Sequence, residues 1–245
     1  MKITVTALYG CGKSIAPPDW NTSAIPRPYR LYYVVDGEAY YTIGGKASRL
    51  IPGRFYLFPS SMSLKLSQDE KNRLNHMYYD FMMTPAIVST EPLSCSVEDH
   101  PLFPILMDFM DKSICSYRYA KEERLYDTVI CGLEAFLSLF LEIVKPKKEI
   151  STDIARALEY IEENYAEEIT VKDIAEKLYL DEGYFIKKFK KTMGTTPYAY
   201  IKNLRLALAK ELRYGGYLLK DAAASVGFKY SSSYCRATRN KNKNE

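Results

Sequence analysis

Through residues 1–95, short runs of apolar, aromatic and β-branched residues alternate with turn signals at close intervals. Residues 29–35 stop at Asp36-Gly37, 39–43 at Gly44-Gly45, 49–51 at Pro52-Gly53 and 55–58 at Pro59. Residues 63–67 alternate apolar with polar, and 76–83 form another run after the charged stretch 68–73. This pattern predicts a small β-sandwich or barrel. The opening run to Cys11 carries one positive charge and little apolar length, and reads as a strand rather than a leader. Near residue 100 the period changes. Residues 102–115 and 125–144 have helical spacing, with Leu125, Val129, Leu133, Phe136, Phe140 and Val144 on one face. Lys145-Pro146-Lys147-Lys148 breaks the helix and reads as a linker. From Asp153 onward the pattern stays helical.

Within that helical part, residues 170–197 carry the most information. Thr170 is a candidate N-cap with Asp173 three residues on, and Val171, Ile174, Ala175 and Leu178 form a short apolar face. A tight turn follows, with Asp181 placed to cap a second helix over 182–193 that stops at Gly194. Phe185 and Phe189 would be its buried face, and Ile186, Lys187, Lys190 and Lys191 its outer one. Two short helices, a tight turn and a lysine-rich second helix make a helix-turn-helix. A weaker copy follows: residues 221–228 repeat 173–180 at an offset of 48, and Tyr234 and Arg236 repeat Phe185 and Lys187 at 49. Between the copies, a helix from Pro197 to near Gly215-Gly216 would span roughly 30 Å. Adjacent major-groove faces on one side of B-DNA are about 34 Å apart, so two reading heads on one rod fit successive turns.

Composition is ordinary for a globular chain of 245 residues, 47% hydrophobic and 26% charged. No apolar run is long enough for a membrane-spanning helix. Five scattered cysteines without a C-x-x-C pair fit reduced thiols in a cytoplasm, and two histidines leave little for a metal site. No cofactor is expected. The net charge of +4 is unevenly placed: residues 1–147 are neutral, 148–179 carry −5 and 180–245 carry +9. A basic last quarter suggests a polyanionic partner.

Ile174-Ala175, Tyr184-Phe185, Phe189-Lys190-Lys191, Gly194, Pro197, Tyr200, Arg205 and Ala209 resemble the AraC/XylS family of transcription regulators. So do Leu218-Leu219, Val226-Gly227-Phe228 and Ser233-Tyr234. The front half, through 32–37, Leu50-Ile51-Pro52-Gly53, Leu57-Phe58-Pro59 and 76–81, is similar to that family's cupin-type effector domain. The resemblance implies an α+β chain: a cupin-like barrel over 1–97, a helical dimerisation segment and linker over 98–146, and an all-α double helix-turn-helix over 147–245. It also implies that Gly183, Ile186 and Lys187 face base edges from the first reading helix, and Ser231, Ser232, Cys235 and Arg236 from the second. Lys190 and Lys191 would sit near phosphates. The second copy departs from the pattern. Thr238 stands where the first has Phe189, Ala222, Ala223 and Ala224 make a small interior, and no Gly-x-x-Pro follows Arg239. A shortened second motif is therefore expected.

Sugar-responsive members place positions like His76 and Tyr78 inside the barrel. Trp20, Arg27 and Arg30, in the arm and first strand, would complete an effector site: an aromatic stacks on a sugar face, and an arginine fork binds hydroxyls or a carboxylate. The expectation is a cytoplasmic, homodimeric, ligand-responsive activator that binds double-stranded DNA and a small molecule such as a carbohydrate. Two alternatives stand beside it: a metal-dependent cupin enzyme with a helical accessory domain, disfavoured by the lone His76, and a truncated family member without DNA binding.

Overall fold

The computed structural model describes residues 2–18, 20, 22–23, 28–60, 62, 65–87, 89, 91–120, 123–145, 151–214 and 216–242. The chain forms two compact units, residues 1–24 with 29–148 and residues 149–245 with 25–28.

The first unit carries strands β1 (Thr4–Ile15), β2 (Thr22–Ser23), β3 (Tyr29–Asp36), β4 (Ala39–Ile43), β5 (Lys46–Arg49), β6 (Arg54–Phe58), β7 (Lys65–Gln68), β8 (Asn75–Thr84) and β9 (Leu93–Ser96). They build a five-stranded sheet in the order β1-β8-β3-β6-β9 and a four-stranded sheet in the order β2-β7-β4-β5. Neighbouring strands are antiparallel throughout. Among the described residues no strand pairing joins the two sheets, so the expected β domain is an open two-sheet arrangement and not a closed ring.

Alternation along the central strands explains the layering, because successive side chains leave opposite faces of a sheet. Tyr29, Leu31, Phe55, Leu57, Met77, Tyr79 and Phe81 share one core with the helices α1 (Phe103–Ala120) and α2 (Glu123–Val144). Their neighbours Tyr32, Val34, Tyr56 and Phe58 share a second core with Ala39 of β4 and Leu66 of β7. The order is thus small sheet, large sheet, helices, and the large sheet is covered on both faces. On the helix side the Phe136 ring lies 4.6 Å from Phe55 and 5.3 Å from Phe103. The Tyr79 hydroxyl donates to the carbonyl of Met110 on α1 at 3.4 Å. Edge strand β1 is irregular between Val5 and Gly10. There α2 covers it: Glu134 Oε1 accepts from the Val5 amide at 2.7 Å and the Tyr126 hydroxyl from the Leu8 amide at 3.2 Å. The helix pair thus shares the core of the strands and lies in the same unit.

The second unit is helical, with no strand among its described residues: α3 (Thr152–Asn164), α4 (Val171–Lys177), α5 (Glu182–Met193), α6 (Pro197–Tyr214), α7 (Leu219–Ser225) and α8 (Ser231–Asn242). The second motif forms both of its helices. Among the described residues no helix is long and apolar enough to cross a membrane.

Phe136 is fully buried where both helices meet the large sheet. Phe136→Ala is expected to destabilise the first unit by about 3–5 kcal/mol. Denaturant unfolding should show this unit's transition displaced and that of the helical unit unmoved.

Candidate nucleic-acid interface and inter-sheet polar cluster

Local hydrogen bonds define the first motif. Thr170 Oγ1 accepts from the Asp173 amide at 3.1 Å while Asp173 Oδ2 accepts from the Thr170 amide at 2.8 Å, a reciprocal capping box. The chain turns through Tyr179 in the left-handed region, φ 57°. Asp181 Oδ1 then accepts from the Tyr184 amide at 2.8 Å and starts α5. Gly194, φ 71°, ends α5 with its amide on the Lys190 carbonyl at 2.9 Å. Phe185 and Phe189 are fully buried, their rings 5.6 Å apart, and Phe189 meets Tyr200 of α6 edge-on at 5.5 Å. With the aromatic side fixed inward, helix geometry sends the opposite side out. Gly183, Lys187, Lys190 and Lys191 are exposed and Ile186 is half-buried. Lys187, Lys190 and Lys191, spaced three and four apart, share one surface and make no ion pair among the described residues. Lys188 is different: its Nζ lies 2.5 Å from Asp153 Oδ2 of α3, so it ties α5 to the unit.

The second motif presents Ser232 and Arg236 exposed, with Ser231 and Cys235 half-buried. Its anchoring is lighter. Ala222, Ala223 and Val226 are buried, and half-buried Tyr234 meets Phe228 edge-on at 5.7 Å. Thr238, where the first motif has Phe189, turns its hydroxyl onto the Cys235 carbonyl of its own helix at 2.9 Å.

The helix between the two motifs is more than a spacer, because it is fastened to the loop that leads into the first motif. Arg205 of α6 donates from Nε to the Tyr165 carbonyl and from Nη2 to the Glu167 carbonyl, both at 2.6 Å. Gly227, in the turn between α7 and α8 with φ 86°, packs against the same loop: a Cβ there would lie 2.6 Å from the Ala166 carbonyl oxygen. The loop between α3 and α4 is thus clasped by the connecting helix and by the second motif's turn.

In the first unit, Trp20, Tyr32 and Tyr78 gather around His76 between the sheets. The His76 ring centre lies 4.5 Å from that of Tyr32, 5.5 Å from Tyr78 and 6.4 Å from Trp20. Arg30 is adjacent, its guanidinium 5.9 Å from the Tyr32 ring centre. Its fork is engaged, with Nε 2.5 Å from Asp80 Oδ1 and Nη2 2.8 Å from Oδ2, both side chains buried. Asp80 was not foreseen. It faces Arg30 because β3 and β8 pair in that register. Arg27 lies outside the described residues. His76 is 4% exposed and its Nδ1 has no hydrogen-bond partner among the described residues. Burial, and then the Arg30 charge, push its pKa down to about 4, with Asp80 opposing, so the ring is neutral at pH 7.

Residues 161–202 match the model of the AraC family of bacterial regulatory helix-turn-helix proteins. The lactose operon transcription activator of Staphylococcus xylosus is 25% identical over 246 aligned positions, covering 93% of this chain and 86% of that protein. The helix-turn-helix-type regulator YbfI of Bacillus subtilis is 30% identical over 104 residues, 39% of this chain and 38% of that one. In fold the chain is similar to ToxT of Vibrio cholerae. An apo variant of ToxT aligns over 98% of this chain and 93% of that one, with a TM-score of 0.58 and 12% identity. Wild-type ToxT bound to an unsaturated fatty acid aligns over 97% and 90%, with a TM-score of 0.56 and 11% identity. The Staphylococcus xylosus and Bacillus subtilis relatives are both named as transcription regulators.

Two outcomes follow from the geometry. A histidine whose folded pKa lies below its unfolded value stabilises fully above about pH 6.5, and the contribution is lost as pH falls toward 4. The melting temperature of the first unit should drop across that window, and His76→Gln should flatten the drop. Gly227→Ala places a side chain in a left-handed conformation, which alone costs about 1–3 kcal/mol, and drives it into Ala166. Calorimetry should show the helical unit melting earlier, and duplex affinity should fall with it.

Proposed function

We propose that this chain, whose residues 161–202 match the AraC family of bacterial helix-turn-helix regulators, is a cytoplasmic, ligand-responsive transcription activator that reads specific DNA with α5 and α8. The observation that carries this reading is the open cationic surface of Lys187, Lys190 and Lys191, backed by Phe185 and Phe189. Lys187, with Gly183 and the half-buried Ile186, addresses base edges. Lys190 and Lys191 address phosphates, which fix register without reading sequence. On α8 the corresponding set is Ser231, Ser232, Cys235 and Arg236. Lysine is a point charge where arginine is a fork, so Arg236 suits guanine better than Lys187 does.

The effector belongs between the two sheets, against Trp20, His76 and Tyr78. The Arg30–Asp80 pair supports a neutral ligand over an acid there, because Asp80 already neutralises the arginine. The open Nδ1 of His76 takes a hydroxyl donor. A sugar or related polyol meets both conditions, and the lactose-operon activator among the relatives agrees with that class. α1 and α2 are the candidate homodimer contact and define, with the linker, the 98–146 segment between effector and DNA-binding domains. A ligand that binds one arrangement better than another shifts the population toward it.

A mobility-shift series with the DNA upstream of the gene tests this. Log affinity should fall linearly with log salt, by about 0.9 per phosphate contacted. Lys187→Ala should lower the preference over scrambled DNA, and a panel of neutral sugars should contain one that changes the affinity. Absence of binding at low salt would sink the reading.

A further inference from the structure

The helical unit holds a cleft of about 440 Å³ apart from the lysine surface of α5. Val171, Ile201 and Phe228 supply apolar wall, Ser233 a hydroxyl, and Lys202, Arg205 and Arg236 positive charge; among the described residues no carboxylate lines it. Arg205 is engaged with the Tyr165 and Glu167 carbonyls, and Glu168 stands close enough to act on its charge. Lys202 and Arg236 make no ion pair among the described residues. The cleft is bounded by the start of α4, by α6 and by the half of α8 that carries the second reading set.

We infer that this cleft seats the sugar–phosphate backbone of a DNA strand between the two reading helices, with Lys202 as the phosphate ligand. The inference rests on the DNA-binding reading above and adds a contact that base-reading positions do not supply. The lining suits a nucleic-acid backbone better than a bare anion. A bare anion would leave Val171, Ile201 and Phe228 unused, whereas a deoxyribose lays apolar ring faces on them and offers its phosphate to the cations. The seat also depends on the clasp, since Arg205 is both a wall of the cleft and the group that ties α6 to the α3–α4 loop. Backbone contacts of this kind set the placement of a protein along the groove and are indifferent to sequence.

The test uses the full chain with two duplexes, one selected by the wild type from a random pool and one scrambled from it. Binding is followed by fluorescence anisotropy over about 50 to 300 mM KCl. Removing one phosphate contact lowers the salt slope by about 0.9, which at 0.1 M salt corresponds to about eightfold weaker binding. Lys202→Gln should show both changes, equally on the two duplexes, and Lys202→Arg should restore them. Lys46→Gln on β5, an exposed position with no part in either binding surface, should change neither, and the melting temperatures should confirm that the variants are folded. If the wild type binds and Lys202→Gln keeps the full slope, the seat is overturned while DNA binding stands. A loss confined to the selected duplex makes Lys202 a base reader and overturns it too. An unchanged slope, with inorganic phosphate raising the melting temperature of the wild type but not of the variant, assigns the cleft to a small anion and overturns it. A wild type that binds neither duplex overturns both readings.

Discussion

The carbonyls of Tyr165, Ala166 and Glu167 are held from two sides, by the Arg205 guanidinium of α6 and by the close approach of Gly227 in the second motif's turn. Two short helix-turn-helix motifs joined by a helix have no intrinsic reason to keep a fixed relation, because the second buries little. Here the connecting helix is tied to the first motif's leading loop by charge-assisted hydrogen bonds, which are stronger than neutral ones. The second motif is seated on the same loop by a residue that only glycine can be without strain. The 18 residues of α6 set a length of about 27 Å, near the spacing of successive grooves, and the clasp sets the orientation. The two-headed reading proposed above would depend on both.

The first unit rests on a different kind of constraint. A buried arginine and a buried aspartate face one another across β3 and β8. Removing either partner of such a pair leaves an uncompensated interior charge, which is far costlier than replacing the pair as a whole. Its consequence for recognition is subtractive. The space between the sheets contains an arginine yet the Arg30–Asp80 pair brings no net charge to it, and beside that pair stand the neutral His76 ring and the Tyr32 and Tyr78 side chains. A sequence with Arg30 in that region suggests an anion site, and the register of two strands reverses the suggestion.

The parts of the molecule legible in the sequence are those decided within a few residues. Thr170 with Asp173, Asp181, and Gly194 cap their helices through contacts no more than four positions apart, and the Phe185–Phe189 spacing alone says which side of α5 is buried. The apolar runs punctuated by turn signals over 29–83 likewise predicted a β-sandwich or barrel. What stayed hidden lies across long separations. Asp80 meets Arg30 from 50 positions away, Lys188 meets Asp153 from 35, and Arg205 meets Tyr165 from 40. Each depends on strand register or helix crossing, which no local pattern encodes. The weakness expected of the second motif follows from Thr238, Ala222 and Ala223, and its lighter anchoring agrees with that, whereas Ala224, expected inside, is exposed. Both helices form nonetheless, since helix geometry tolerates a small interior.

Strand β8 separates two worlds by a single peptide unit. His76 and Tyr78 look into the space between the sheets, while Met77 and Tyr79 look into the helix layer, where the Tyr79 hydroxyl reaches the Met110 carbonyl. The strand therefore behaves as a diaphragm. An occupant that displaces Tyr78 bears on the same stretch of backbone that positions Tyr79, so pressure from one side is felt on the other without any intervening relay. Chemistry in the interior and shape on the helical exterior are mechanically one variable.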